Sequence, residues 1–199
     1  MNKKLWLYML SCIAIFVPTP AHLGIGIELL ILMNILVALL LCAKFGISFL
    51  SIEKYEPVLL LICSVGISIL LFQILTLFSP ITAFTLNFVF YLMPISAILL
   101  GMIIPKKNQA LSLSFKETFR NLFIFTSLGF LFYFIREILS YGYLTLPGRT
   151  ILHIIPLFPY ETPNIFWASI PGGLVLSACI WFFLSFIHRK LDIVKRSGC

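Results

Sequence analysis

The feature that most constrains this chain is a series of apolar runs about as long as a lipid bilayer is thick. A helix needs about 20 apolar residues to cross the hydrocarbon core of a membrane. The runs, each bounded by proline or charged residues, lie at 5–17 (a short one), 23–43, 58–78, 83–104, 119–139 and 166–188. We therefore predict an integral membrane protein with six helical segments.

Composition excludes the main soluble alternatives. Hydrophobic residues make up 61% of the 199 residues, and charged residues only 11%. A soluble domain of this size lacks the polar surface to cover that much apolar side chain. The formal net charge is +7, but the basic residues lie at the ends of the apolar runs and form no patch interleaved with aromatics. We expect the lipid bilayer, and no nucleic acid, as a partner.

The distribution of basic residues predicts the orientation. If six segments alternate in direction, the loops on one side carry twelve Lys and Arg residues, and those on the other side carry only Arg149. Basic loops stay in the cytoplasm, so both termini are predicted to be cytoplasmic. The first segment could be a full span, a half-span or a cleaved signal peptide. We expect it to be retained as a half-span that ends near Pro18.

Three ionisable residues fall inside apolar runs, where charge is costly and often functional. Glu28 lies near the outer end of the second run, and Arg136 and Glu137 lie near the outer end of the fifth. Neighbours in sequence point to different sides of a helix, so Arg136 and Glu137 should not satisfy each other. Either all three side chains reach out to the membrane interface, or Glu28 and Arg136 form an ion pair between neighbouring helices.

Uncharged residues in the runs bear on the architecture. Asn34, Gln73 and Asn87 are expected to be buried partners in hydrogen bonds between helices. Pro94 is expected to break the fourth helix, because it frees carbonyls that neighbours must take up. A short first and a broken fourth segment are typical of inverted repeats. We predict an all-α single membrane domain built as a 3+3 inverted repeat, with repeat 1 at about 1–80 and repeat 2 at about 81–199.

Motifs that carry chemistry are missing from the sequence. There is no zinc-ligand spacing, nucleophile elbow, Walker loop or dinucleotide fingerprint, so we predict no catalytic residue and no catalysis by this chain alone. The five cysteines show no paired spacing, and four lie in apolar runs, where cysteine usually acts as a small hydrophobe: Cys12, Cys42, Cys63, Cys179 and Cys199.

Four short motifs follow one another along the chain: Leu23-Gly24-Ile25-Gly26, then Ala97-Ile98-Leu99-Leu100-Gly101, then Ile135-Arg136-Glu137-Ile138 with Gly142, and finally the helix start Ser169-Ile170-Pro171-Gly172-Gly173. In order and spacing they resemble the Rnf/Nqr membrane subunits, specifically the RnfE/NqrD branch. The resemblance covers about residues 10–188. Those subunits are six-helix inverted-repeat proteins of complexes that translocate ions while passing electrons between NADH and ferredoxin or quinone.

The resemblance implies a subunit of an ion-translocating oxidoreductase in a bacterial inner membrane, beside other membrane subunits that include an oppositely inserted RnfA/NqrE-like partner. In the family, a cysteine from each broken helix helps to hold a [2Fe–2S] cluster shared between the two subunits. Here the second position falls on Ala97 and the first near Leu10, with Cys12 two residues away. Alanine cannot ligate iron. We therefore expect no cofactor on this chain alone and a structural role, with Cys12 at most a single thiolate ligand.

Two functions from other classes stay open. One is a small inverted-repeat secondary transporter centred on Pro94, in which Glu28 or Arg136 meets the substrate. The other is a membrane scaffold whose apolar faces bind partner helices. A redox complex would bring flavoprotein subunits through purification, and neither alternative requires them.

Overall fold

The computed structural model describes residues 13–49, 55–99, 111–148, 152–157 and 164–197. It begins with a helical turn, α1, at residues 13–16. The further elements are α2 (Leu23–Phe49), α3 (Glu56–Phe78), α4 (Pro80–Leu99), α5 (Leu111–Tyr141), β1 (Tyr143–Leu146), β2 (His153–Pro156), α6 (Ile165–Ala168) and α7 (Ile170–Ser197).

Among the described residues, α2, α3, α5 and α7 are long and apolar enough to cross a membrane, and α4 is a shorter apolar helix. Their outward faces are also apolar, as shown by Phe84, Leu77 and Phe182, which are 85%, 80% and 74% exposed. Exposing such an apolar surface to water is unfavourable, whereas the apolar chains of lipids can pack against it. The fold is that of a helical membrane protein. Six spans in an inverted repeat stay a prediction, because most of the first predicted segment lies outside the described residues.

Helix α2 lies at the centre of the bundle and contacts α3, α4, α5 and β1. Proline sets the ends of its neighbours: Pro57 lies in the first turn of α3, where its missing N–H costs nothing, and Pro80 starts α4. Side chains of Leu36, Leu86 and Phe125, from three helices, are fully buried between them. The core is therefore built around α2, and α7 packs at its edge.

The expectation of a broken fourth helix is wrong, because α4 continues through Pro94 to Leu99. Proline lacks the N–H that would bond to the carbonyl four residues earlier, which is that of Phe90. In the structure the hydroxyl of Ser68 on α3 donates to the Phe90 carbonyl at 2.6 Å. A neighbouring helix thus supplies the missing hydrogen, and α4 stays continuous.

The segment between α5 and α6 contains strands, so the all-α expectation is incomplete. Strands β1 and β2 pair antiparallel, with Tyr143 opposite Pro156 and Leu146 opposite His153. The chain turns from α5 into β1 at Gly142, which has the left-handed φ of 69° that glycine adopts without strain. Its N–H closes α5 by donating to the carbonyl of Ile138 at 3.1 Å.

The three amides have different surroundings. The side-chain nitrogen of Asn34 donates to Thr126 on α5 at 3.0 Å and to the Leu30 carbonyl at 2.6 Å. Gln73 and Asn87, by contrast, are exposed on the outer faces of α3 and α4. The expectation that these two are buried is wrong. Because a membrane helix is apolar on every side, its sequence pattern does not reveal which face points inward.

Candidate functional site around Arg136 and Glu137

Two charged side chains near the end of α5 are completely buried. Arg136 is 1% exposed and Glu137 is 0% exposed, so neither reaches out to the membrane interface. As expected for consecutive helical residues, they face different sides of α5 and have separate partners. Together with those partners, they form the candidate site.

The guanidinium of Arg136 lies 5.7 Å from the centre of the Phe132 ring and donates its hydrogen bonds to backbone carbonyls. Nε and Nη2 donate to the segment at the end of α6, and Nη1 donates to the segment after α1. The acceptors are the carbonyls of Trp167 at 3.1 Å, Ala168 at 3.0 Å, Ser169 at 3.2 Å, Phe16 at 3.0 Å, Val17 at 3.4 Å and Thr19 at 2.9 Å. Arginine has five N–H donors, and this set of acceptors engages all of them.

Helix geometry explains this arrangement. The last carbonyls of a helix have no partner within the helix, and they carry partial negative charge. The ends of α1 and α6 both point such carbonyls at Arg136, so one guanidinium donates hydrogen bonds to the free carbonyls of two helix ends. The predicted ion pair between Glu28 and Arg136 is therefore wrong: the guanidinium is fully engaged with carbonyls, and the described residues include no ion pair between these two side chains.

The predicted helix-start motif packs directly on this arginine. A Cβ on Gly172 would lie 2.1 Å from the carbonyl oxygen of Phe166, and one on Gly173 would lie 3.2 Å from Arg136 Cζ. Real Cβ atoms do not approach backbone oxygens this closely. Pro171 opens the first turn of α7, where proline is tolerated. The glycines therefore allow α6 and α7 to form a tight corner against the guanidinium.

Glu137 connects α5 to β1 and to the start of α2. Its Oε2 accepts from the backbone N–H of Thr145 on β1 at 3.0 Å, and its Oε1 accepts from the Thr145 hydroxyl at 2.6 Å. That hydroxyl in turn accepts from the N–H of Gly24, in the first turn of α2, at 3.1 Å. Nδ1 of His22 lies 3.4 Å from Oε1. The carboxylate thus fixes the hairpin to the start of α2.

The glycines at the start of α2 have the same role as those of α7. A Cβ on Gly24 would lie 2.8 Å from the Leu152 side chain and 3.0 Å from the backbone of Leu146. A Cβ on Gly26 would lie 2.5 Å from the ring of Tyr133 on α5. The Gly-x-Gly spacing therefore places both the hairpin and α5 in close contact with α2.

An aromatic stack covers the outer edge of the Glu137 site. The rings of His22 and Tyr141 are parallel with centroids 4.9 Å apart, and those of Tyr141 and Tyr143 are 5.1 Å apart. Burial raises the pKa of Tyr143 above its ordinary value, so its phenol is uncharged at neutral pH. The stack shields the carboxylate, and the 24% exposed side chain of His22 connects it to the surface.

Sequence reasoning missed His22, Thr19 and Thr145. Thr19 hydrogen-bonds with the Tyr133 hydroxyl and donates to the Phe16 carbonyl at 2.8 Å. The sequence did offer a signal for the two threonines, since Thr145 follows the Arg-Glu motif closely and Thr19 lies between two prolines. Their partners on other elements could not be read from the sequence.

The described part of the chain contains only one of the two positions at which the resemblance predicts an iron ligand. Cys12 and Leu10 lie outside the described residues, and Ala97, near the end of α4, has no atom that could bind iron. The free cysteines of the described part are on three different helices and are exposed or half-buried: Cys42, Cys63 and Cys179. In the ranges that the structure describes, no group of three or more His, Cys, Asp or Glu side chains could hold a metal ion.

Comparison with protein-family models and with curated proteins gave no match to this chain. The fold and the site define it as a helical membrane protein with a buried arginine and a buried glutamate at the hairpin end of its bundle.

Proposed function

We propose that this chain is a membrane subunit of an ion-translocating electron-transport complex of the Rnf/Nqr type, with a structural role. The observation that supports this proposal is the convergence of separate sequence motifs. Motifs that resemble the RnfE/NqrD branch come from α2, α5 and α7, far apart in the sequence, yet the α5 motif packs on the α7 motif and is joined to the α2 motif through Thr145.

Each contact has a physical reason. Arg136 lies against Gly173 of the last motif, and Glu137 is connected through Thr145 to Gly24 of the first. Gly142, the last residue of the α5 motif, lies directly after the end of that helix. Chance matches between apolar segments would have no reason to fall on the residues that hold a buried charge cluster together. This agreement supports a shared architecture.

The structural role follows from the side chain that stands at the expected iron-ligand position. An electron-transferring member would need a thiolate at the position of Ala97, and a methyl group supplies none. In the proposed complex, the residues of this chain hold helix ends and the hairpin in place beside an RnfA/NqrE-like partner. The proposed location is a bacterial inner membrane, with both termini in the cytoplasm.

Affinity purification tests the proposal. A tagged chain is solubilised from membranes of its native host in mild detergent, and the proteins that accompany it are identified by mass spectrometry. We expect a membrane subunit of similar size and at least one flavoprotein, with flavin absorbance in the purified sample. The same membranes without the tag provide the control for nonspecific recovery.

A chain that purifies with no flavoprotein or redox subunit, from membranes that contain such a complex, would contradict the proposal. In that case the transporter and scaffold alternatives would be preferred.

A further inference from the structure

Glu28 is an acidic side chain inside the apolar bundle whose hydrogen bonding is incomplete. It lies in the second turn of α2 and is partly buried. Its Oε2 atom is buried and has no hydrogen-bond partner, whereas both carboxylate oxygens of Glu137 are bonded. Buried polar atoms are nearly always satisfied, so an orphaned carboxylate oxygen requires an explanation.

Two hydroxyls face this carboxyl group. Ser79 and Thr82, at the corner between α3 and α4, lie close to the Glu28 side chain. They also bond to each other, since Ser79 Oγ donates to Thr82 Oγ1 at 2.9 Å. Both residues are buried, and the neighbouring side chains of Leu29 and Ala83 are buried and apolar. Oxygen atoms from two distant segments thus meet in an apolar environment.

The charge of Glu28 has no protein partner among the described residues. The contact between His22 Nδ1 and Glu137 Oε1 does not involve Glu28, and Arg136 donates to carbonyls. Burying an uncompensated charge is costly. One carboxylate is neutralised by one positive charge, whereas a divalent ion would leave an excess. Carboxylate and hydroxyl oxygens also suit hard cations, not the soft metals that thiolates bind.

We propose that Glu28, Ser79 and Thr82 form a binding site for a monovalent cation, either Na⁺ or a proton, at the contact between α2 and the α3–α4 corner. The cation neutralises the Glu28 carboxylate and completes the bonding of Oε2. The hydroxyls provide further oxygens and fix the position of the carboxyl group. This site goes beyond the proposed structural role and does not depend on it.

The probe is dicyclohexylcarbodiimide, which reacts with protonated carboxyl groups in apolar surroundings. The purified full-length chain in detergent is labelled in choline chloride, NaCl or KCl of equal ionic strength, over a range of pH. The labelled peptide is identified by mass spectrometry, so the test does not require a variant that folds. The variant Glu28→Gln should remove the label, while Glu56→Gln, at the start of α3, should keep it.

Na⁺ bound to the carboxylate excludes the proton that the reagent requires. At a Na⁺ concentration about ten times Kd, mass action leaves about one tenth of the sites free, so labelling should slow about tenfold relative to choline. Ser79→Ala and Thr82→Val should weaken this protection but allow labelling. Ser177→Ala is the matched control, because its hydroxyl bonds only within α7, to the Leu174 carbonyl at 2.8 Å.

The result assigns the cation. Protection by Na⁺ at constant pH identifies a Na⁺ site, whereas labelling that ignores Na⁺ and persists well above pH ~4.3, where an ordinary glutamate loses its proton, identifies a proton site. The absence of label on Glu28 under all conditions would overturn the proposal, as would labelling that ignores Na⁺ and is lost near that pH. Because the readout is local to Glu28, it is independent of whether redox subunits accompany the chain.

Discussion

Removing the guanidinium of Arg136 should destabilise the fold more than any other single charge substitution on α5. The five N–H donors of this side chain satisfy carbonyls at the ends of α1 and α6. In Arg136→Gln the side-chain amide offers two donors, so at least three carbonyl bonds are lost. At about 1–1.5 kcal/mol net for each bond, the free energy of unfolding should fall by about 3–5 kcal/mol.

The variant Arg136→Lys separates hydrogen bonding from charge. An ammonium group keeps the positive charge but has three donors, so about two carbonyls lose their partner. We expect a loss of about 2–3 kcal/mol, between the wild type and Arg136→Gln. The matched control is Arg120→Gln, because Arg120 lies on the same helix and is exposed.

Stability is measured by titrating the purified chain in mixed micelles with sodium dodecyl sulfate and following helicity by circular dichroism. If Arg136→Gln unfolds within about 0.5 kcal/mol of the wild type, the range typical of surface substitutions, the carbonyl cage contributes little and the reasoning fails. It also fails if Arg136→Lys is as stable as the wild type, since charge alone would then suffice.

Four further predictions concern the packing of Gly172, the hydrogen bond of Ser68, the orientation of the chain and its iron content. Gly172→Ala should destabilise by about 1–3 kcal/mol in the same titration, because its Cβ would meet a backbone oxygen at 2.1 Å; Gly46→Ala, with nothing within 4 Å, should not, and equal effects would refute the corner packing. Ser68→Ala should cost about 1–3 kcal/mol by leaving the Phe90 carbonyl unbonded, and a neutral result would show that the Pro94 site needs no donor. Single cysteines placed at 106–107 or after residue 188 should react with impermeant reagents only from the cytoplasm, and those in the loop between 140 and 165 only from outside; labelling of 106–107 from outside would contradict the orientation. The purified chain should carry no iron, and Cys12→Ser should change neither its stability nor the paramagnetic resonance spectrum of its complex, whereas a signal lost on that substitution would show that Cys12 is a ligand.

The sequence was sufficient for the class of protein and for much of its helix placement. Run length against bilayer thickness predicts membrane helices, and the predicted second and third runs, 23–43 and 58–78, begin within a few residues of α2 and α3. The cost of charge in an apolar environment also singled out Arg136 and Glu137, and the chemistry of proline correctly predicted that a carbonyl near Pro94 needs an outside donor.

The β1–β2 hairpin and the faces of the helices that point into the bundle could not be predicted in the same way. In β1 the buried side chain is Thr145 and the exposed one is Leu146, and in β2 every side chain is exposed, so the burial of these strands is not the one that an apolar and polar alternation predicts. Asn87 lies between the exposed Phe84 and Phe88, which are as hydrophobic as core residues. In a lipid environment apolar side chains face outward as readily as inward, and the pattern that orients a helix in a soluble protein disappears.

Only the tertiary structure decided the partners of the two buried charges. The sequence indicates that Arg136 must find acceptors, but those acceptors lie 120 residues before it at Phe16 and 31 residues after it at Trp167. They are backbone carbonyls, which every residue possesses, so no residue type marks them in advance. A carbonyl becomes an acceptor for Arg136 because a helix ends there and packing brings that end to α5. The side chain of Arg136 thus determines that hydrogen-bond acceptors are needed, while the fold determines which groups serve as those acceptors.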